Sequence, residues 1–88
     1  MTAWRLVLVR RAERDLAAIP ESERTSLFEA LVTWAGDPFH GNVRKIEGHS
    51  GEWRWKFRRW RVIYRLDDAA QTIVTLRILP RDKAYRDR

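Results

Sequence analysis

Residues 52–66 read EWRWKFRRWRVIYRL and decide the fold of this 88-residue chain. Apolar residues alternate with others on both sides of a break at residues 58 and 59. A period of two is typical of strands that bury one face, so the stretch predicts two strands, Glu52–Arg58 and Trp60–Leu66, joined by a very short linker. The residues expected on the buried face are Trp53, Trp55, Phe57, Trp60, Val62, Tyr64 and Leu66.

The chain after this stretch predicts a third strand and a short tail. Asp67-Asp68-Ala69-Ala70 is typical of a turn, and Thr72–Leu79 is rich in β-branched residues. The side chains expected to point inward from this strand are Val74, Leu76 and Ile78. Pro80 ends the strand, and the spacing of Arg81 and Tyr85 allows one helical turn after it. Three strands with short connections predict an antiparallel meander.

The chain before this stretch predicts a strand and two helices. Trp4–Arg10 is typical of a strand. Two stripes at helical spacing follow, one formed by Ala12, Leu16 and Ile19 and the other by Leu27, Phe28, Leu31, Trp34 and Ala35. Pro20 ends the first helix, and Ser22 is the expected N-cap of the second, which Gly36 and Pro38 end.

These elements predict a single α+β domain over residues 1–88. Its order is an N-terminal strand, a two-helix hairpin and the three-stranded antiparallel meander, with a loop over residues 37–51 that contains a short extended piece at Val43–Ile46. The first strand is expected to pair beside the meander, and the helices to cover the face that bears the tryptophans. The result is a two-layer sandwich around one core, for which a hydrophobic content of 44% is ample.

The composition excludes several kinds of site. The chain has no cysteine, which removes disulfides and thiolate ligands, and His40 and His49 lack the spacing of metal ligands. No glycine-rich loop precedes a helix to hold a nucleotide phosphate. We therefore expect neither a metal nor a cofactor. No stretch resembles a signal peptide or a membrane span, so a soluble, cytoplasmic protein is expected.

The positive charge is concentrated in one part of the chain. The net charge is +6 with a pI of about 10.7, and residues 42–66 hold eight Lys or Arg against two Glu. The cations expected on the outer face of the meander are Arg54, Lys56, Arg58, Arg61, Arg65 and Arg77. Their clustering favours binding of a polyanion such as RNA, and the alternative is an ordinary solvated face. The tryptophans are expected in the core rather than stacked on bases, since they occupy the opposite face.

Five short motifs carry a resemblance to a known family. They are Ala12…Asp15-Leu16…Ile19-Pro20, Asp37-Pro38, Lys45-Ile46-Glu47-Gly48, Trp60-Arg61-Val62-Ile63-Tyr64-Arg65-Leu66-Asp67 and Arg81…Ala84-Tyr85-Arg86. In this order, and over nearly the whole chain, they resemble the RelE/ParE toxin superfamily. The resemblance implies a toxin of a type II toxin–antitoxin pair with a microbial-RNase-like fold.

The resemblance also implies a reaction. RelE-type members cleave messenger RNA in the ribosomal A site without a metal: the 2′-hydroxyl attacks the adjacent phosphate and expels the 5′-oxygen. By position, Arg61 and Arg81 would stabilise the phosphate charge. Lys56 or Tyr85 would be the base, which would require the surrounding cations to lower its pKa, and Arg81 or a neighbouring lysine would help to protonate the leaving oxygen. Arg54, which matches a basic residue of the family, and the cations Arg58, Arg65, Arg77 and Lys45, which the charge pattern indicates, are the further residues expected to bind RNA.

Two other functions stay open at this point. ParE-type relatives share the fold but poison DNA gyrase and lack a catalytic set, whereas Arg61, Arg81 and Tyr85 favour the ribonuclease branch. A nucleic-acid-binding module without chemistry is the third possibility. For partners, the resemblance implies messenger RNA, the ribosome and a cognate acidic antitoxin in a hetero-oligomer, with no membrane association.

Overall fold

Five strands and three helices follow one another in the order that the sequence predicts. The computed structural model describes residues 4–46, 48 and 51–86, with side chains described up to residue 83. The elements are β1 (Arg5–Leu8), α1 (Arg10–Ala17), α2 (Glu21–Trp34), β2 (Val43–Lys45), β3 (Glu52–Phe57), β4 (Trp60–Asp67), β5 (Thr72–Pro80) and α3 (Arg81–Arg86). The extended piece predicted at Val43–Ile46 is strand β2.

The strands form one mixed sheet in the order β1-β5-β4-β3-β2. Strands β2 to β5 pair in antiparallel fashion, whereas β1 pairs parallel to β5 at the far edge. A parallel pair requires a crossover connection, and α1 and α2 lie within it. The predicted α+β sandwich is confirmed, and β2 extends the meander by one strand.

The helices cover the face of the sheet that carries the tryptophans. One buried cluster joins α2 and the sheet; it includes Leu27, Leu31, Trp34, Trp55, Trp60, Val62 and Tyr64. The Trp34 ring stacks on Trp55 with centroids 4.8 Å apart and meets Tyr64 edge-on at 4.7 Å. Trp53 packs against the cluster from a half-buried position. The predicted phase of β3 and β4 is therefore confirmed, and the tryptophans are core residues.

Strand β5 departs from its predicted phase because it contains a β-bulge. Tyr64 pairs with Thr75 while Ile63 pairs with Arg77, so Leu76 is an extra residue in the strand. An extra residue shifts the alternation of faces by one position. The residues opposite the core positions of β4 are consequently Ile73, Thr75 and Ile78. The prediction was right for Ile78 and wrong for Val74 and Leu76.

The helical hairpin follows the predicted pattern with two corrections. Ala12 and Ile19 are buried as expected, but Phe28 is 47% exposed although it was placed in the apolar stripe. The N-cap of α2 is Pro20, and Ser22 lies inside the first turn. The Arg24 guanidinium donates to the carbonyls of Ala17 and Ile19, which satisfies acceptors at the end of α1. No helix in the described part of the chain is long and apolar enough to span a membrane.

Candidate nucleic-acid interface

A basic depression lies on the face of the sheet opposite the helices. It has a volume of about 390 Å³, and among the described residues its lining contains five cationic side chains and no carboxylate. The lining residues are Gly41, Asn42, Val43, Arg44, Arg54, Lys56, Arg61 and Arg81. The structure therefore brings four of the predicted site residues together, Arg54, Lys56, Arg61 and Arg81, and adds Arg44 to them.

Strand pairing places these cations directly opposite one another. Arg44 on β2 faces Arg54 on β3, and Lys56 on β3 faces Arg61 on β4. Like charges at opposed positions of an antiparallel pair destabilise the sheet. Two such pairs concentrate positive charge in one depression, which favours the binding of an anion there.

The Arg61 side chain is held by neutral acceptors. Its Nη1 donates to the carbonyl oxygens of Arg58 and Trp60, both at 2.9 Å. The sequence predicted an outward cation rather than a core residue, but Arg61 is only 3% exposed. Carbonyl oxygens fix the guanidinium in place without neutralising its charge. Arg61 is thus an oriented positive charge in the wall of the depression.

The Arg58-Arg59 turn between β3 and β4 supplies one of these acceptors and also anchors α3. Arg58 has a φ of 55°, a conformation that non-glycine residues seldom adopt. The carbonyl of Arg59 accepts a hydrogen bond from the backbone N–H of Arg81 at 2.8 Å. The turn therefore contacts both of the arginines that the sequence assigned to the phosphate.

The other predicted RNA-binding cations lie outside the lining of the depression. Arg77 is paired with Asp15 of α1 at 2.8 Å, and Arg65 is paired with Glu52 at 3.6 Å. The Arg58 guanidinium lies 5.0 Å from the centre of the Phe57 ring, at the edge of a different groove. Lys45 is exposed beside Arg44.

The chain has two tyrosines, Tyr64 and Tyr85, and the structure describes the side chain of Tyr64 only. Tyr85 belongs to α3, but its side chain lies outside the described residues. Tyr64 is fully buried, and its hydroxyl donates to the carbonyl of Pro38 at 3.4 Å. Burial raises the pKa of Tyr64, so its hydroxyl keeps its proton at neutral pH and no phenolate is available to act as a base. Tyr64 is a core residue rather than a candidate base.

Arg44 is the site residue that sequence reasoning missed. It was counted in the basic stretch but not assigned to the site, because a three-residue edge strand has no reliable phase of its own. The sequence predicts an extended piece at Val43–Ile46, shortly before the strand that begins at Glu52. Antiparallel pairing of these two segments could have been expected from their order. The pairing of β2 with β3 puts Arg44 opposite Arg54.

An apolar groove lies on the helical side of β3. It has a volume of about 580 Å³, and residues of α2 and β3 contribute Trp34, Trp55 and Phe57 to its lining, with Arg58 at one end. The Trp34 indole N–H is buried and has no acceptor in the described part of the chain. A buried donor without a partner is uncommon and would gain from an acceptor on a bound chain.

The chain is similar in sequence to one protein family and in structure to several solved proteins. The model of a family described as the ParE toxin of the type II toxin–antitoxin system, parDE, matches residues 6–85. No curated protein matches the chain by sequence.

Three solved structures illustrate the structural likeness. The RelBE2 toxin–antitoxin complex from Mycobacterium tuberculosis matches with a TM-score of 0.81 and 24% identity, covering 92% of this chain and 94% of the other. The archaeal RelE–RelB complex from Pyrococcus horikoshii OT3 has a TM-score of 0.75 and 21% identity, with coverage of 91% and 97%. The isolated RelE toxin of E. coli has a TM-score of 0.75 and 20% identity, with coverage of 97% and 94%. At these identities the likeness establishes a common fold.

Proposed function

The chain belongs to the ParE toxin family of type II toxin–antitoxin systems, within the RelE/ParE superfamily, and we propose that it is a RelE-type endoribonuclease that cleaves messenger RNA on the ribosome. The observation that carries the proposal is the basic depression. Five cations line it, and the described part of the chain contributes no carboxylate to the lining. A site built for the phosphates of RNA needs this excess of positive charge, because a pentavalent phosphorane carries more negative charge than the phosphate diester.

The proposed reaction is an internal transesterification. The RNA 2′-oxygen loses its proton and bonds to the adjacent phosphorus, the bond from phosphorus to the 5′-oxygen breaks, and the leaving oxygen takes up a proton. Arg61 and Arg81 are proposed to stabilise the phosphorane oxygens, and Arg54 and Arg44 to hold the flanking phosphates. Lys56 faces Arg61 directly across the strands, so it adjoins the proposed phosphate position.

The fixed orientation of Arg61 supports its role. Two hydrogen bonds to carbonyls hold its guanidinium before any RNA is bound. A preorganised charge needs no reorganisation when the transition state forms, and this is the main source of electrostatic catalysis. Proton transfer is proposed to involve Lys56 and Tyr85, the pair that the family resemblance suggested.

The test is direct. Purified toxin is added to ribosomes stalled on a defined messenger RNA, and the 5′ ends of the products are mapped by primer extension. Cleavage within the codon in the A site is the expected result. Intact messenger RNA, in a preparation that still arrests growth on induction, would reject the ribonuclease function.

A second candidate is inhibition of DNA gyrase, the activity that the resemblance implies for ParE-type members, which the description of the matching family names. It requires a contact surface for a protein rather than a phosphate site. A supercoiling assay with purified gyrase distinguishes the two candidates, because the ribonuclease should leave supercoiling unchanged at concentrations that cleave messenger RNA.

We also propose a cognate acidic antitoxin as partner, in a toxin–antitoxin hetero-oligomer. The chain carries a net charge of +6, and the stacked rings of Trp34 and Trp55 line the apolar groove. An amphipathic segment with acidic residues would satisfy both features. Charge pairing should make association of the pair sensitive to salt, which stopped-flow rates at low and high ionic strength would measure.

A further inference from the structure

Glu23 of α2 lies outside the lining of the basic depression but binds the turn that supports it. Its carboxylate accepts hydrogen bonds from Nε and Nη2 of Arg59 at 2.9 and 3.0 Å. The indole N–H of Trp60 donates to the same carboxylate at 3.2 Å. The Arg59 guanidinium also lies 4.4 Å from the centre of the Trp60 ring. These contacts join the start of α2 to the Arg58-Arg59 turn.

The helix start explains why Glu23 is available for this contact. Glu23 is the third residue of α2, a position from which a glutamate often bonds back to the N–H of the N-cap residue. Here the N-cap is Pro20, which has no N–H. The carboxylate therefore extends across to β4. The hydrogen bond from Arg59 lowers the pKa of Glu23 below its ordinary value, so it is charged at neutral pH.

The turn accepts hydrogen bonds from two site arginines, so a restraint on the turn also restrains them. The carbonyl of Arg58 holds the guanidinium of Arg61, and the carbonyl of Arg59 holds the backbone N–H of Arg81. Arg58 has a positive φ, so the turn is a conformation that its own sequence does not favour. Glu23 restrains this turn from outside it through a bidentate ion pair, in which the Arg59 side chain is 56% exposed and the Glu23 side chain 36% exposed.

We propose that Glu23 is a positioning residue, which fixes the Arg58-Arg59 turn and thereby the orientation of Arg61 and Arg81. The inference rests on the proposed ribonuclease function for its consequence in catalysis. Glu23 touches no part of the depression, and its role is exerted through Arg59. A misplacement of about 1 Å can slow an enzyme by up to ~10²-fold, so a modest shift of the turn is sufficient to matter.

The experiment uses two substitutions that change net charge in opposite directions. Glu23→Gln raises it by one and Arg59→Gln lowers it by one, yet both break the same ion pair. We expect each to lower the rate of cleavage of messenger RNA at saturating ribosomes by about 10-fold, with little change in KM for Glu23→Gln. The double variant should be no slower than the slower single variant, because the residues act as one unit.

The matched control is Glu21→Gln, in the same turn of α2. Glu21 is exposed and forms no ion pair in the part of the chain that the structure describes. Glu21→Gln changes the net charge by the same amount as Glu23→Gln. We expect the cleavage rate of this control variant to stay within about 2-fold of wild type. Equal rates for the two glutamate variants would overturn the positioning role.

A second measurement separates this inference from the proposed function. Amide hydrogen exchange of Arg81 reports the hydrogen bond to Arg59 without any RNA present. We expect exchange to accelerate in Glu23→Gln and in Arg59→Gln but not in Glu21→Gln. If the wild-type protein cleaves no messenger RNA, the ribonuclease proposal fails, while faster Arg81 exchange would still support the restraint on the turn. Unchanged exchange in both variants would reject that restraint whatever the cleavage rates are.

Discussion

Arg61 and Arg77 are both largely buried arginines of neighbouring strands, and they differ in what accepts their hydrogen bonds. Arg77 donates to the carboxylate of Asp15 at 2.8 and 3.3 Å, and the same carboxylate accepts the N–H of Ile78. Arg61 donates to two backbone carbonyls. A carboxylate cancels the charge of its partner, whereas a carbonyl leaves that charge available to a ligand. The acceptor therefore makes Arg77 a structural cation and Arg61 a candidate for catalysis.

The comparison predicts the largest effect for Arg61. Arg61→Ala should slow cleavage of ribosome-bound messenger RNA by about 10²–10³-fold, as removal of one preorganised donor does in other enzymes. Arg61→Lys should recover only part of the rate, because an ammonium cannot reproduce the planar fork. Circular dichroism and the Tm provide the folding control. A folded Arg61→Ala protein with full activity would exclude Arg61 from the site.

At the Asp15–Arg77 pair we expect a substitution to lower stability and to leave cleavage unchanged. Asp15→Asn should lower the free energy of unfolding by about 2–3 kcal/mol, because it leaves a largely buried guanidinium without its counter-charge. Urea denaturation measures this loss. Cleavage per folded molecule should stay unchanged. Loss of activity at full stability would mean that Arg77, rather than supporting β5, takes part in the site.

A smaller effect is expected from the cations beside Arg61. Arg54→Gln and Lys56→Gln should each reduce the slope of log affinity for single-stranded RNA against log salt by about 0.7. Fluorescence anisotropy over a range of salt concentrations gives this slope. If neither substitution changes it, RNA does not occupy the depression.

Arg65 should show the smallest effect. Its ion pair with Glu52 is long at 3.6 Å, and the Arg65 side chain is 58% exposed. Arg65→Gln should change stability by no more than about 0.5 kcal/mol, since exposed pairs contribute little. We expect the cleavage rate to remain within about 2-fold of wild type. A larger loss of RNA affinity would extend the binding surface along β4 to include Arg65.

Sequence reasoning reached the fold because its main signals are local. The alternation in residues 52–66 fixes which side chains of β3 and β4 share a face, and Pro20 marks the helix boundary. The bulge at Leu76 was missed because a bulge is a property of a strand pair, and β5 contains no glycine that would indicate it. Phe28 was placed in the core because helical spacing cannot say where an apolar stripe ends.

The sequence predicted that cations cluster at the site, but it did not predict which residues pair with each cation. Clustering of charge in residues 42–66 indicated the correct face, yet Arg77 finds its acceptor 62 residues away in α1. The Arg61 side chain is held by the carbonyl of Arg58 in a strained turn and by the carbonyl of Trp60, and residue spacing does not reveal these contacts. Arg44 required the pairing of β2 with β3. Each of these facts arises from contacts between segments, and a single sequence does not encode them as a pattern.

The parallel pairing of β1 with β5 has a consequence for synthesis of the chain. Arg5 pairs with Thr72, and Asp15 with Arg77, so the first strand and helix have no place to dock until most of the chain has left the ribosome. The β3–β4 hairpin is local and can form early, but long-range contacts of this kind delay completion of a fold. Arg81 follows β5, so a nascent chain that has not completed β5 cannot present the full set of site cations.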